Sequence, residues 1–175
     1  MRIRQRHRLV QFHQVHADRR DAMAENPSPE SPEAALASPL VGSVADVMTK
    51  GVTCVEPDFP AQQALMEMSK KRISCLVVTG DDTHPIGILT ERDMVGFSAN
   101  LKGTLGEDIC AGDLMTSPVV TADSCQSVES VIEMAHERRI RHVPVVDESG
   151  ALVGIVSQSD FLRACAERHL DGSKD

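Results

Sequence analysis

Three blocks of this chain occur twice, in the same order and at the same separation. Asp46-Val47-Met48-Thr49 recurs 67 residues later as Asp113-Leu114-Met115-Thr116. Ile73-Ser74-Cys75-Leu76-Val77-Val78 recurs as Ile140-Arg141-His142-Val143-Pro144-Val145 at the same offset of 67. Ile86-Gly87-Ile88-Leu89-Thr90-Glu91-Arg92-Asp93 recurs as Val153-Gly154-Ile155-Val156-Ser157-Gln158-Ser159-Asp160, again 67 residues on. The helical stretches between the blocks slip by one residue, as Glu67 and Glu133 show. A unit this small cannot cover its own sheet and helices, so the two copies are expected to stack and share a core.

Each copy reads as a small α/β unit. A short helix ends near the Met-Thr pair, and a brief strand follows at Val52–Val55 or Val119–Thr121. An amphipathic helix comes next, with Asp58 or Ser124 as the expected N-cap. Its apolar stripe is Ala61, Ala64, Leu65 and Met68 in the first copy. In the second copy it is Val128, Val131, Ile132 and Ala135, the spacing of one helix face. Met66, Met68 and Met134 are read as core. Two strands joined by a turn follow (Cys75–Thr79 and Ile86–Leu89; His142–Val146 and Leu152–Val156). The turns Gly80–Thr83 and Asp147–Gly150 are rich in turn formers. A last helix starts near Asp93 and near Asp160. The expected fold is α/β (α+β): two units, each a three-stranded sheet with helices, packed as a pseudo-twofold pair.

The N-terminal stretch is different. The net charge of −8 hides six Arg and one Asp within residues 1–20, against 12 Lys or Arg and 25 Asp or Glu in the remainder. Residues 26–39 carry four Pro and three Ser among acidic residues, a composition that buries no core. Residues 1–39 are therefore expected to be a disordered basic tail and linker, with a helix-compatible patch at Leu9–Val15. The expected domains are 43–101 and 110–168. Aromatic residues are only 2% of the chain, which argues against base stacking. The acidic body argues against broad phosphate neutralisation. No nucleic-acid partner is expected for the body on this reading, binding through the Arg-rich tail being the second alternative.

No apolar run reaches the ~20 residues that span a bilayer, so no membrane partner is expected. The five cysteines (Cys54, Cys75, Cys110, Cys125, Cys165) are widely spaced and odd in number. They are read as reduced thiols, mostly buried, in a cytoplasmic protein. His7, His13 and His16 have no accompanying ligand cluster, so no metal site is expected. Dinucleotide, P-loop and nucleophile-elbow motifs are absent, and no catalytic residue is assigned.

The chemistry lies in Thr90-x-x-Asp93 and Ser157-x-x-Asp160, each at a strand-to-helix junction. A carboxylate there can accept from both vicinal hydroxyls of a ribose, and the Thr or Ser hydroxyl can donate to a ligand oxygen. Free amides at the helix start favour an anion. The same spacing is also close to a capping box, in which the two side chains satisfy backbone amides. Both roles can coexist.

These junctions, with the paired Asp-x-Met-Thr blocks and Val143-Pro144-Val145-Val146-Asp147, resemble the CBS-domain family, named after cystathionine β-synthase. The resemblance is to a tandem CBS pair, or Bateman module, and covers roughly residues 43–168. It implies a regulatory, non-enzymatic module that binds an adenosine-containing ligand (AMP, ADP, ATP or S-adenosylmethionine) between the repeats. It further implies a homodimer and a regulated partner protein. By the same resemblance Arg141 and His142 face ligand phosphates, and Arg92 and Ser159 face the ligand. The first repeat has Ser74 and Cys75 in place of Arg141 and His142, so unequal sites are expected. The alternative is an interaction scaffold whose junctions are only caps.

Overall fold

Both repeats build the same run of elements from the same local signals. In the computed structural model, residues 9–11, 42–80, 83–101 and 108–171 are described. Strand β1 (Leu9–Gln11) precedes the first repeat. That repeat forms α1 (Val44–Val47), β2 (Thr53–Val55), α2 (Ala61–Lys71), β3 (Cys75–Thr79), β4 (Pro85–Thr90) and α3 (Glu91–Leu101). The second forms α4 (Ala111–Leu114), β5 (Ala122–Asp123), α5 (Val128–Glu137), β6 (His142–Val146), β7 (Leu152–Ser157) and α6 (Gln158–Asp171). In each, the first strand runs parallel to the second, and the third returns antiparallel to the second. The hairpin registers match: Val77 opposes Ile88, and Pro144 opposes Ile155.

Four expectations are corrected. The patch at Leu9–Val15 is not helical where it is described. Leu9–Gln11 pairs antiparallel with Thr53–Val55, so the first sheet has four strands, in the order β1-β2-β3-β4. The rest of the expected tail and linker lies outside the described residues. The main helices start later than expected: Pro60 and Ser127 are the N-caps, not Asp58 and Ser124. Ser127 Oγ accepts from the Ser130 amide at 3.2 Å. The short strand of the second repeat falls at Ala122–Asp123, not Val119–Thr121. Finally, Met66 and Leu65 point to solvent, while Met68 is fully buried and Met134 partly so.

The core is divided by an exchange between the repeats. Val55, Ala64, Met68, Leu76, Leu89 and Met94 of the first repeat are joined by Ala111, Leu114 and Met115 of the second. Val128, Val131, Val143, Val156 and Phe161 of the second repeat are joined by Val44, Val47 and Met48 of the first. Each Asp-x-Met-Thr block therefore serves the other repeat's sheet. Its Asp caps its own helix: the Ser43 amide donates to Asp46 Oδ2 at 2.8 Å, and the Cys110 amide to Asp113 Oδ2 at 2.9 Å. Its Thr pairs with the opposite third strand. Thr49 and Ile155 exchange two backbone bonds at 2.8 and 3.0 Å, and Thr116 and Ile88 do the same at 2.8 and 3.1 Å. A third cluster, Val52, Cys54, Val77, Leu152 and Ile155, spans both repeats.

Glycine is required where the exchange is closest. A Cβ on Gly87 would overlap the Met115 side chain, and one on Gly154 would overlap Met48. Gly87→Ala or Gly154→Ala is therefore expected to cost about 1–3 kcal/mol by overpacking, read as a shifted urea midpoint. The first main helix closes on Arg72 and the second on Arg138, with Arg72 and the next residue after Arg138, Arg139, both left-handed at φ 55°. Arg139 is exposed, and Arg139→Gly is expected to gain roughly 1 kcal/mol in the same measurement by relieving the Cβ crowding of that conformation.

Candidate functional site

The exchange leaves a crevice of about 530 Å³ where the two hairpins and the starts of α3 and α6 face one another. The first repeat contributes Ser74, Thr90, Glu91, Arg92 and Val95. The second contributes Arg141, His142, Ser157, Gln158 and Ser159. Of the residues singled out from sequence, Thr90, Arg92, Arg141, His142, Ser157 and Ser159 all meet on this one surface. Sequence reasoning did not name Ser74, Glu91, Val95 or Gln158 as site residues. For Glu91 and Gln158 the available signal was their position at a helix start directly after a motif residue.

Asp93 and Asp160 do not line the crevice; each sits one hydrogen bond behind it. The Thr90 amide and hydroxyl donate to Asp93 Oδ2 at 2.8 and 2.7 Å. The Ser157 amide and hydroxyl donate to Asp160 Oδ2 at 2.8 and 2.6 Å. These are capping contacts, and they fix the hydroxyls that line the crevice.

The walls are electrostatically unequal. Arg141 and His142 stand where the first repeat has Ser74 and Cys75. Burial pushes the Cys75 thiol up to about 12, so it stays neutral and protonated at physiological pH. Cys54, buried in the shared cluster, is likewise pushed up to about 12. Of the four cysteines whose burial is described, Cys54 is fully buried, Cys75 and Cys110 are half-buried and Cys125 is exposed. His142 Nε2 lies 3.0 Å from Ser74 Oγ, a hydrogen bond that crosses from one repeat to the other. Burial, reinforced by the neighbouring Arg141 charge, holds the His142 pKa below its ordinary 6.5. The exposed guanidiniums of Arg92 and Arg141, the neutral His142 imidazole and the Ser159 hydroxyl offer donors to an oxygen-rich anion, set against the one exposed carboxylate of the lining, Glu91. Among the described residues no group of three or more His, Cys, Asp or Glu could hold a metal ion, and no helix is long and apolar enough to cross a membrane.

Comparison with known proteins agrees with the two-repeat fold. Hypoxic response protein 1 of Mycobacterium tuberculosis is 34% identical over 124 residues, covering 70% of this chain and 84% of that protein. An uncharacterised protein of Methanopyrus kandleri is 31% identical over 121 residues, and there the match spans only 61% of the relative. An inosine-5'-monophosphate dehydrogenase of Nitrosopumilus maritimus is 33% identical over 115 residues, but only 22% of that enzyme is covered. Among solved structures, CBSX2 in complex with AMP superposes with a TM-score of 0.64 at 26% identity, covering 71% of this chain and 96% of that one. The CBS domain pair of protein MJ0100, in complex with 5'-methylthioadenosine and S-adenosyl-L-methionine, gives 0.65 at 26% identity, covering 73% and 98%. The CBS domain itself matches residues 44–100 and 111–167, one copy on each repeat. The chain belongs to the CBS-domain family, as a tandem pair.

Proposed function

We propose that this chain is a non-catalytic sensor whose crevice binds the anionic part of an adenosine-containing ligand. The observation that carries this reading is the crevice itself. Its volume of about 530 Å³ lies within the range of small-molecule sites, and its cationic and hydroxyl groups come from both repeats. Arg141 supplies a planar donor fork suited to phosphate, and Arg92 a second cation on the opposite wall. Ser159 adds a hydroxyl donor, while Thr90 and Ser157, whose hydroxyl protons go to Asp93 and Asp160, offer acceptor oxygens. The carboxylate behind Thr90 would take ribose hydroxyls at the crevice margin. The AMP and S-adenosylmethionine complexes of relatives support this ligand class. Contacts made by one molecule to both repeats would favour one arrangement of the pair, which a second copy of the chain or a regulated protein would then read.

A thermal-shift panel of AMP, ADP, ATP and S-adenosylmethionine tests the proposal. A ligand at 100 times its dissociation constant should add about 2.7 kcal/mol of stability, and Arg141→Ala should reduce that gain for the phosphorylated ligands. Flat curves across the panel would instead favour the interaction-scaffold reading, in which the junctions are only caps.

His142 gives the proposal a pH signature. Its folded-state pKa is depressed below the ordinary 6.5, so the neutral imidazole predominates in the unliganded protein at and above that pH. A phosphate beside it favours the charged form, so binding takes up a proton and AMP affinity rises as the pH falls toward and below that value. His142→Asn removes this component. Calorimetric titrations of both proteins at about pH 7.5 and about pH 6 should show a steeper pH dependence in the wild type, the ligand's own titration cancelling in the comparison. Equal slopes would place the phosphate away from His142.

A further inference from the structure

The two carboxylates of the repeated motif have different neighbours. Asp160 Oδ2 takes both donors of Ser157, and its Oδ1 takes Arg163 Nη2 at 2.9 Å and Thr49 Oγ1 at 3.3 Å. Four donors use up roughly the four acceptor positions that a carboxylate offers. Asp160 is also only 6% exposed. Arg163 Nη2 donates in addition to the Val47 carbonyl at 3.3 Å. One guanidinium thus ties α6 to the exchanged segment that carries Met48 and Thr49.

The first repeat lacks this arrangement. The counterpart of Arg163 is Gly96, and a side-chain carbon added there would meet nothing within 4 Å. The counterpart of Thr49 is Thr116, which pairs with Ile88 through its backbone, and its hydroxyl makes no bond to Asp93 among the described residues. Asp93 is half-buried, and both donors of Thr90 go to its Oδ2. Among the described residues, Asp93 Oδ1 therefore accepts no hydrogen bond.

We infer that the two repeats are not equivalent binding sites: Asp93 is the carboxylate that accepts the ligand's vicinal hydroxyls, and Asp160 is a positioning residue that Arg163 and Thr49 keep occupied. This rests on the adenosyl-ligand reading above and goes further, since it assigns one ribose position per chain. The difference comes from one exchanged residue type. An Arg one helical turn beyond the motif Asp occupies that carboxylate's second oxygen, and a Gly at the same place leaves it open.

Transplanting the two residues tests this. AMP is titrated by calorimetry into the wild type, Gly96→Arg and Arg163→Gly. The open surroundings of Gly96 admit the longer side chain, and Arg is a better helix former than Gly. The expected results are one AMP per wild-type chain, at least tenfold weaker binding in Gly96→Arg, and retained binding in Arg163→Gly. Two equivalent AMP molecules per wild-type chain would overturn the inference while leaving the sensor reading intact. So would full-strength binding in Gly96→Arg.

Amide exchange gives a second readout that needs no ligand. In Arg163→Gly the paired amides of Thr49 and Ile155 should exchange several-fold faster, with those of Ile88 and Thr116 unchanged. If Arg163→Gly does not fold, Thr49→Val, which removes the other donor to Asp160 Oδ1, takes its place with the same expectation. If AMP fails to bind the wild type, the sensor reading fails, and unchanged exchange at Thr49 and Ile155 would then overturn the positioning role separately.

Discussion

The structure depends on one reciprocal contact made twice. A methionine from the start of each repeat lies against a side-chain-free position on the third strand of the other, Met48 on Gly154 and Met115 on Gly87. The following threonine then closes a two-bond backbone bridge, Thr49 with Ile155 and Thr116 with Ile88. Neither repeat holds a complete core without the segment it receives. The two sheets are consequently fixed relative to each other by backbone geometry as well as by apolar burial. Sequence order and spatial order differ, because each repeat's opening segment is structurally part of its neighbour.

That constraint builds the crevice. With the third strands held against the exchanged segments, their ends at Thr90 and Ser157 and the helix starts that follow them face a common space. The capping aspartates hold these junctions rigid. The Ser74–His142 contact crosses the same space and joins the hairpins directly. Any ligand entering the crevice must engage or displace groups from both repeats. Its binding energy is thereby coupled to how the repeats sit against each other. The Arg163–Asp160–Thr49 network extends this coupling into the exchanged segment on one side only, so the pair is symmetric in backbone and asymmetric in charge.

Much of this was legible in the sequence. The equal offset of the three blocks fixed the duplication, and the period of the apolar residues placed the helices and hairpins. Six of the eight expected site residues lie on one surface: Thr90 and Ser157, expected from the motif spacing, and Arg92, Arg141, His142 and Ser159, expected from the family resemblance. The remaining two, Asp93 and Asp160, illustrate a limit: a carboxylate three residues past a hydroxyl is described equally well as a cap or as a sugar acceptor, and spacing alone cannot say which oxygen is engaged. The exchange was not legible, because a repeat boundary in sequence carries no sign of which sheet its first helix will join. Only the pairing of an unexplained Met with an unexplained Gly, both duplicated, hinted at it. The helix starts were misplaced because Asp58 and Ser124 have ordinary cap chemistry, while the apolar stripe actually begins at Ala61 and Val128, beyond a Pro and a second Ser. The strand at Leu9–Gln11 was missed because three residues are too few to show a period, and its pairing with Thr53–Val55 is a tertiary contact.

The most direct measurement is a crystal structure of the protein grown with saturating AMP. Density for the nucleotide is expected in the crevice, with its phosphate within hydrogen-bond distance of Arg141 or His142 and its ribose hydroxyls on Asp93. A nucleotide bound elsewhere on the surface, or a crevice without nucleotide density at saturation, would contradict the assignment of this space as the sensing site.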